Sequence, residues 1–356
     1  MGRVVKIAFV LPEIGPGGAE RVATLLAGAW ADSGHAVTLL TLDDGSRPPF
    51  HNVPPLAVHR PLGLQGESRG TFDAISANFK RVRTLRAALR ALAPDVVVSF
   101  IDQANVLTLL ATRGTAIPVV ASERVAPTLQ PLSRHWRLLR RLTYPFAARL
   151  VAPTRAMAAM MQPWSRLPVA VIANPVVAPT HPKAERGNSI LAVGRLVPQK
   201  GFDRLIKAGL PQGWTLCIAG EGPERPRLEA LAQASPQIQL PGVVADLAPL
   251  YASCGLFVLS SRFEGFPNAL AEAMAAGCPC VAVDCPTGPA EMIEDGVNGI
   301  LVAPEDLGAA IARLAGDATL RIRLGENAAT YGQHHSPQQI AASWLALLDC
   351  VMVPPP

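Results

Sequence analysis

Two cationic side chains near the middle of the sequence could bind a phosphate-rich ligand. Arg195 comes two residues after the apolar run 189–193, and Lys200 comes five residues later, beside Gly201. An arginine can hold two phosphate oxygens at once, whereas a lysine acts as a compact point charge. Their spacing after a strand predicts a polyanion site, with a pair of solvated surface charges as the alternative.

The segment 260–277 adds two carboxylates and a predicted helix start. Glu264 precedes a glycine-containing loop, Asn268 is a good N-cap for the next helix, and Glu272 lies one turn along it. The N–H groups of the first turn would face an anion, and they belong to Asn268, Ala269 and Leu270. Two carboxylates beside such a helix start suit a nucleotide sugar, one reaching the sugar hydroxyls and the other the ribose. The alternative is a pair of exposed acids at a helix end.

A glycine-rich turn near the N-terminus is a weaker signal of the same kind. The first predicted strand runs into Gly15–Arg21, which contains the adjacent pair Gly17 and Gly18. Adjacent glycines let the backbone approach a ligand, and the following helix offers free N–H groups to an anion. Glu20 stands where a dinucleotide fingerprint would need Gly or Ala, so that fingerprint is excluded. An ordinary tight turn is the alternative.

Alternating strands and helices must position these residues. The apolar runs 6–11 and 36–41 flank a helical pattern at 19–30, and the same alternation restarts at 189. This order is typical of doubly wound parallel sheets. We therefore predict an α/β protein with two Rossmann-like domains facing across a cleft, where ligands of open α/β sheets bind.

Length and composition agree with two globular domains. The 356 residues are 49% apolar and 17% charged, which excludes a disordered chain and supplies sizeable cores. A Pro-rich stretch, 174–187, is the best linker. The predicted division is two domains, 1–173 and 174–335, followed by a helical tail, 336–356, that packs back toward the first domain.

The sequence also predicts a cytoplasmic location. No apolar run reaches the ~18 residues that span a bilayer, and the N-terminus lacks a signal-peptide pattern. The six cysteines lie in the second half without a CxxC pair, which favours reduced thiols. The histidines do not have the spacing of metal ligands, and the sequence contains no D-x-D motif. We therefore expect no metal cofactor.

Two basic amphipathic segments in the first half indicate an anionic partner. Residues 1–178 carry 20 Lys/Arg against 10 Asp/Glu. In the predicted helix 73–92, Arg83, Arg86 and Arg90 line one edge of an apolar face, and Lys80 lies nearby. In 133–142, Arg134, Arg137 and Arg141 lie opposite Leu138, Leu139 and Leu142. Such faces suit anionic lipid head groups or a lipid diphosphate, with solvated helix faces as the alternative. Nucleic acid is disfavoured because no aromatic residues interleave with these arginines.

Taken together, the motifs resemble one enzyme family. They are Gly17-Gly-Ala-Glu-Arg21, Gly194-Arg195 with Lys200-Gly201, Gly220-Glu-Gly-Pro223, and Glu264-Gly-Phe-Pro followed by Glu272-Ala-Met and Gly277. This set resembles glycosyltransferase family 4, whose members are retaining enzymes of GT-B architecture. The resemblance covers nearly the whole chain and is densest over 190–285. It implies that 1–173 is the acceptor-side domain and 174–335 the nucleotide-sugar donor domain.

The resemblance implies roles for individual residues. Arg195 and Lys200 would hold the donor diphosphate, Glu272 the ribose and Glu264 the transferred sugar, with Gly18 beneath the diphosphate. The implied donor site also includes Gly17, Phe266, Asn268, Ala269, Leu270 and, near the base, Val243. Transfer without an obvious protein nucleophile fits a front-face mechanism, and the fixed cations would replace a metal ion.

The sequence departs from the family pattern at Ser122-Glu123-Arg124, where many members carry a histidine. This triplet resembles a subgroup that adds hexoses or N-acetylhexosamines to polyprenyl-diphosphate-linked or capsule-type glycans. Glu123 is therefore a catalytic candidate and Arg124 an acceptor-side candidate, with a helix-capping loop as the alternative. We expect a UDP-sugar donor and a peripheral position on the inner membrane face. The alternatives are a GDP-mannose-dependent mannosyltransferase, a UDP-sugar epimerase of the same fold, and a catalytically idle nucleotide-binding partner.

Overall fold

The computed structural model describes residues 3–64, 71–129, 132–177 and 186–352, without the side chains of 71–75. The chain divides into two compact units. Unit 1 comprises Met1–Pro175 and Pro337–Pro356, and unit 2 comprises Val176–Ser336. Most of the predicted linker, residues 178–185, lies outside the described residues.

Unit 1 is built on one parallel sheet of seven strands in the order β3-β2-β1-β4-β5-β6-β7. The strands are β1 (Lys6–Leu11), β2 (Ala36–Thr41), β3 (Val58–Pro61), β4 (Val96–Phe100), β5 (Val119–Ser122), β6 (Arg149–Ala152) and β7 (Ala170–Val171). The helices are α1 (Gly18–Asp32), α2 (Thr71–Leu92), α3 (Asp102–Ala111), α4 (Arg134–Thr143), α5 (Arg155–Met161) and, from the end of the described chain, α12 (Pro337–Met352).

Apolar clusters cover both faces of this sheet. One joins the sheet to α1 and α12, and the other joins it to α2, α3 and α5. Helix α12 packs on α1, where the Trp30 indole N–H donates to the Ala341 carbonyl at 3.2 Å and its ring packs edge-on against Trp344. Trp30 and Trp344 are both fully buried. The last described helix therefore completes the core around the first one.

Unit 2 repeats the architecture with a parallel sheet of six strands in the order β10-β9-β8-β11-β12-β13. The strands are β8 (Ser189–Val193), β9 (Thr215–Ala219), β10 (Ile238–Gly242), β11 (Leu256–Leu259), β12 (Cys280–Val283) and β13 (Ile300–Val302). The helices are α6 (Phe202–Lys207), α7 (Arg225–Ala232), α8 (Ala248–Ser253), α9 (Asn268–Ala275), α10 (Leu307–Gly316) and α11 (Ala318–His334).

The strand orders confirm the predicted doubly wound parallel sheets. In each unit the order reverses beside the first strand, between β1 and β4 and between β8 and β11. Loops at the carboxyl ends of strands next to such a reversal form the ligand crevice of open α/β sheets. The glycine turn follows β1, Glu123 follows β5, Arg195 follows β8 and Glu264 follows β11. The fold thus places the predicted residues at the carboxyl edges of the two sheets, the position of the ligand crevice in other open α/β sheets.

Strands β3 and β13 were not predicted. Both are short edge strands, and β3 reads Val-His-Arg-Pro with no buried residue. A short edge strand without buried alternation carries no periodic signal. Within the predicted helical tail, 336–356, the described residues form one helix, α12, which begins at Pro337. The preceding helices α10 and α11 belong to unit 2 and are separated by the cap at Asp317, which accepts the Leu320 N–H.

Candidate active site

An ion pair lies at the carboxyl ends of β8 and β11. Lys200, in a single 3₁₀ turn after β8, places its Nζ 2.7 Å from Oε1 of Glu264. The Ser261 hydroxyl donates to the same oxygen at 2.5 Å, and Glu264 is only 3% exposed. A buried carboxylate is tolerated when it is paired and hydrogen-bonded in this way. The structure therefore brings together two of the predicted site residues, which are 64 positions apart.

The loops that carry this pair are fixed to each other. Gly201 has a φ of 64°, and an added Cβ there would overlap the Ser260 carbonyl oxygen. The Ser260 hydroxyl donates to the Lys200 carbonyl at 2.9 Å, and the Gln199 amide donates to the Phe263 carbonyl at 2.9 Å. Only glycine allows this close approach without strain. Lys200 and Glu264 are thus held in register by their backbones as well as by their charges.

Arg195 lies exposed in the turn after β8. Within the described ranges its guanidinium makes no hydrogen bond or ion pair, while its neighbour Leu196 is fully buried. An exposed guanidinium on a buried support can meet an incoming anion with its five donors unoccupied. This is the placement expected of a side chain that binds phosphate.

The start of α9 differs from the prediction. The N-cap is Pro267 and no side chain caps the helix, so the prediction of Asn268 as N-cap is wrong. Asn268 is the first helical residue, and its N–H donates to the carbonyl of Phe266 at 2.9 Å. Phe266 and Leu270 are buried, and Ala269 lies between the helix start and Leu270. Of the three N–H groups predicted to face an anion, only those of Ala269 and Leu270 therefore remain available for one.

Glu272 occupies the second turn of α9 and is half-buried. Its Oε2 accepts a hydrogen bond from the Tyr251 hydroxyl of α8 at 3.1 Å. Val243, predicted near the base, is 59% exposed in the turn after β10. Both residues thus lie in unit 2, with the Lys200–Glu264 pair.

Glu123 of unit 1 lies in a buried polar cluster at the end of β5. It is 2% exposed, accepts a hydrogen bond from the Tyr144 hydroxyl, and its Oε1 lies 3.8 Å from Nη1 of Arg140. Burial, and secondly the negative charge of Asp102, raises the pKa of Glu123 to about 7, against the opposing effects of Tyr144 and Arg140. A carboxyl group of this pKa can hold or release a proton near neutrality.

Asp102 is a second buried carboxylate beside this cluster. It begins α3, is 5% exposed, and its Oδ1 accepts the Gln103 N–H at 2.7 Å. Burial raises its pKa. The preceding residue, Ile101, has a φ of 75°, a conformation that β-branched residues rarely adopt. Sequence reasoning missed Asp102, because nothing local distinguishes it from a helix-start aspartate.

Arg124 points to the opposite face of the sheet from Glu123. Its guanidinium carbon lies 3.5 Å from the centre of the Phe100 ring and 5.7 Å from that of Trp344. Nη1 donates to the Asn174 side chain at 2.6 Å. The residue is 8% exposed, and burial lowers the pKa of Arg124 to about 9. In this conformation Arg124 connects β5 to α12 and to the chain leaving unit 1.

The glycine turn after β1 is occupied by side chains of its own unit. Gly17 is the N-cap of α1, and its carbonyl lies 3.1 Å from Nε2 of His51. An added Cβ at Gly17 would overlap the carboxylate of Glu20, so that carboxylate lies over the helix start beside Gly18. A negative side chain there is favourable to the helix dipole. A diphosphate approaching this turn would have to displace it.

Comparisons with known proteins agree with this geometry. Residues 187–317 match the family model described as Glycosyl transferases group 1, and residues 16–178 match the model described as Glycosyltransferase Family 4. The chain is thus made of two glycosyltransferase domains, one matching each of these models. It is therefore an enzyme that transfers glycosyl groups, as the motifs indicated.

Two relatives align with this glycosyltransferase along most of both chains. One is the GalNAc-alpha-(1->4)-GalNAc-alpha-(1->3)-diNAcBac-PP-undecaprenol alpha-1,4-N-acetyl-D-galactosaminyltransferase of Campylobacter jejuni, 26% identical over 97% of this chain and 98% of the relative. The other is the amylovoran biosynthesis glycosyltransferase AmsD of Erwinia amylovora, 27% identical over 94% and 96%. The exopolysaccharide phosphotransferase SCO2592 of Streptomyces coelicolor is 38% identical, over 49% of this chain but only 20% of its own length.

Solved structures confirm the GT-B fold of this glycosyltransferase. Sucrose-phosphate synthase of Thermosynechococcus elongatus superimposes with a TM-score of 0.82 at 20% identity, covering 97% of this chain and 98% of that one. HepE of Anabaena, crystallised with UDP and glucose, gives a TM-score of 0.79 at 23% identity, covering 97% and 100%. At these identities the likeness concerns the fold alone.

The basic face of α2 in this glycosyltransferase is smaller than predicted. Arg86 donates to the carbonyls of Leu110, Ala111 and Arg113 at 2.8–3.0 Å, so it caps the end of α3. The prediction that Arg86 shares an exposed edge with its neighbours is therefore wrong. The exposed cations of the helix are Lys80, Arg83 and Arg90.

Helix α4 exposes leucines together with its arginines. Arg134, Arg137 and Arg141 are exposed as expected, but Leu138 and Leu142 are 57% and 56% exposed on the same outer side. Of the three leucines predicted to lie opposite the arginines, only Leu139 packs against the core. The buried cation of the helix is Arg140, which sequence reasoning missed.

Within the described part of the chain, no group of three or more His, Cys, Asp or Glu could hold a metal ion. None of the helices described there is both long and apolar enough to cross a bilayer.

Proposed function

We propose that this glycosyltransferase moves a hexose or N-acetylhexosamine from a UDP-sugar to a lipid-linked or cell-surface glycan, with retention at the anomeric carbon. The observation that carries the proposal is the Lys200–Glu264 pair, together with the exposed Arg195 five residues before Lys200 in the segment after β8. It supplies cations for a diphosphate next to a carboxylate for sugar hydroxyls. The full-length relatives, one acting on an undecaprenyl-linked glycan and one in amylovoran biosynthesis, support the acceptor class.

The proposed chemistry depends on neutralising the leaving group. When the bond from the anomeric carbon to the diphosphate breaks, negative charge develops on the departing phosphate. Arg195 and Lys200 stabilise that charge, and preorganised charges of this kind are strong contributors to catalysis. The acceptor oxygen then bonds to the same face of the anomeric carbon, and its proton passes to the departing phosphate. Glu264 orients the sugar and Glu272 the ribose. We expect no divalent metal ion in this scheme.

A thermal-shift panel of UDP- and GDP-sugars identifies the donor. A nucleotide sugar at ~100 times its Kd stabilises a protein by ~2.7 kcal/mol. We expect stabilisation by a UDP-hexose or UDP-N-acetylhexosamine. Stabilisation by GDP-mannose instead would support a mannosyltransferase, and isomerised free nucleotide sugar would support an epimerase.

Substitutions then test the site itself. Lys200→Ala and Glu272→Ala should each cost ~2–4 kcal/mol in the activation free energy of transfer. Lys207→Ala, which removes an exposed lysine of α6, is the matched control and should be neutral. Near-normal turnover of both site variants would reject the site. Turnover that EDTA abolishes would reject the metal-independent scheme.

A further inference from the structure

The segment after β12 contains a threonine in an unfavourable backbone conformation. Thr287 has a φ of 67°, in the left-handed region that favours glycine. Threonine is β-branched, so its side chain makes this conformation costlier than it would be for most residues. Conformations of this kind persist only where the surroundings hold them, and they concentrate at functional sites.

Two hydrogen bonds join this segment to the backbone of Glu264. The Thr287 hydroxyl donates to the Glu264 carbonyl, and the Glu264 N–H donates to the Pro286 carbonyl at 3.4 Å. Thr287 is 7% exposed, so its hydroxyl is largely shielded from competing water. Both peptide groups flanking the Glu264 side chain are therefore bound by two consecutive residues.

The packing next to these bonds leaves little freedom. Gly288 has a φ of 98°, and an added Cβ there would lie 2.7 Å from Cδ of Pro267 and 3.5 Å from Cβ of Glu264. The segment 286–288 therefore contacts the Glu264 loop by its backbone. A shift of Thr287 would be passed directly to the residue whose carboxylate pairs with Lys200 at 2.7 Å.

We infer that Thr287 is a positioning residue for Glu264. Its hydroxyl fixes the Glu264 carbonyl, and so fixes the direction in which the carboxylate leaves the backbone toward Lys200 and the sugar. The inference rests on the proposed function, in which Glu264 orients the transferred sugar. Glycine would adopt the same φ without strain but could not donate this bond. The side chain at this position therefore serves the orientation of Glu264 at a cost in backbone strain.

Three substitutions separate the hydroxyl from the backbone. Thr287→Val keeps the shape of the side chain and removes the hydroxyl that donates the hydrogen bond. Thr287→Ser keeps this hydroxyl. Thr287→Gly removes both the hydroxyl and the backbone strain. The readouts are kcat for UDP release and the Kd for UDP by calorimetry. The substrate is the one among UDP-glucose, UDP-galactose, UDP-N-acetylglucosamine and UDP-N-acetylgalactosamine that the unmodified enzyme turns over fastest.

We expect kcat to fall by about 10- to 100-fold in Thr287→Val and Thr287→Gly, the cost of a slightly misplaced reacting group. The Kd for UDP should stay unchanged, and Thr287→Ser should remain within about threefold of the unmodified enzyme, as expected when its hydroxyl keeps the bond. The glycine variant, relieved of strain, should melt no lower than the unmodified enzyme. It therefore gives the same information if the valine variant folds poorly.

The inference would be overturned if kcat is unchanged in both variants that lack the hydroxyl, Thr287→Val and Thr287→Gly. It would also be overturned if Thr287→Ser is as slow as Thr287→Val. Glu264→Gln distinguishes this failure from failure of the proposed function. If Glu264→Gln abolishes UDP release while Thr287→Val does not, only the positioning role is wrong. If Glu264→Gln itself turns over normally, the proposed function and the inference both fail.

Discussion

Glu123 shows how burial converts one carboxyl group into a pH-dependent element. Its pKa is about 7 in the folded protein, against an ordinary value of 4.5. Between these values the folded protein holds a proton that the unfolded chain has released. The group therefore favours folding fully below pH ~4.5, and its contribution is lost as the pH rises toward the folded pKa and beyond. The difference corresponds to about 3 kcal/mol.

Glu123→Gln should remove this dependence, because the amide accepts the Tyr144 bond without titrating. The free energy of unfolding, from urea titrations at pH 5 and pH 8.5, should fall by about 3 kcal/mol more in the unmodified protein than in the variant. Asp102 is present in both proteins, so the part of its shift that burial causes is common to them. Parallel pH profiles of the two proteins would show that Glu123 does not titrate in this range.

At the level of residues, local motifs were informative and distant contacts were not. Arg195, Lys200, Glu264 and Glu272 lie in short segments whose spacing indicates phosphate and sugar chemistry. Asn268 was misplaced by one position, because the sequence does not show that Pro267 ends the loop as the N-cap. The residues that support the catalytic candidates were not predictable, since they approach from other elements; they are Tyr144, Arg140, Tyr251 and Thr287.

Helix α4 has two chemically different sides. Its inner side carries Arg140, which lies over the Trp164 ring at 4.2 Å and beside Glu123. Its outer side exposes leucines between arginines, a composition suited to the interface of an anionic membrane. We therefore propose that this outer side rests on the membrane that holds the acceptor. The proposal needs only the helix and no membrane span.

Reversing two outer charges tests the membrane surface. Each cation near an anionic bilayer contributes ~1 kcal/mol, so Arg137→Glu with Arg141→Glu should weaken binding to phosphatidylglycerol vesicles by at least ~30-fold. Release of UDP from the donor in solution should remain. Arg313→Glu with Arg323→Glu makes the same change of charge on exposed residues of unit 2 and is the matched control. Equal vesicle binding by the two double variants would contradict the proposal.

Secondary-structure elements were predictable where burial leaves a recognisable pattern of apolar residues in the sequence. Strands β1, β2 and β8 were predicted with the bounds found, because each is a mostly buried apolar run between clear turns. The edge strands β3 and β13 carry no such run. Exposed leucines on α4 could not be recognised either, because the helical pattern shows which residues share a side but not which side faces the core.

On the scale of the whole molecule, unit 1 is discontinuous in sequence. The chain leaves it at Pro175 and returns at Pro337 to add α12 to the sheet face covered by α1. Trp344 is fully buried there, in contact with the rings of Trp30 and Phe100. The stability of unit 1 therefore depends on α12, which is separated from the rest of unit 1 by the whole sequence of unit 2.

Trp344→Ala should lower the free energy of unfolding by ~3–5 kcal/mol, the usual cost of removing a buried aromatic ring. Urea unfolding followed by circular dichroism measures it. Ile322→Ala, at a side chain 62% exposed on α11, is the control and should change stability by less than ~0.5 kcal/mol. Similar unfolding midpoints for the two variants would mean that α12 contributes little to the core.

The late return of α12 has a consequence for biosynthesis. A ribosome must polymerise all of unit 2 before the partner of Trp30 emerges, whereas unit 2 itself is one uninterrupted stretch. Unit 2 can therefore reach its native state while one side of the sheet in unit 1 is still covered by α1 alone. We therefore expect chaperones to bind the nascent N-terminal half of this protein rather than unit 2.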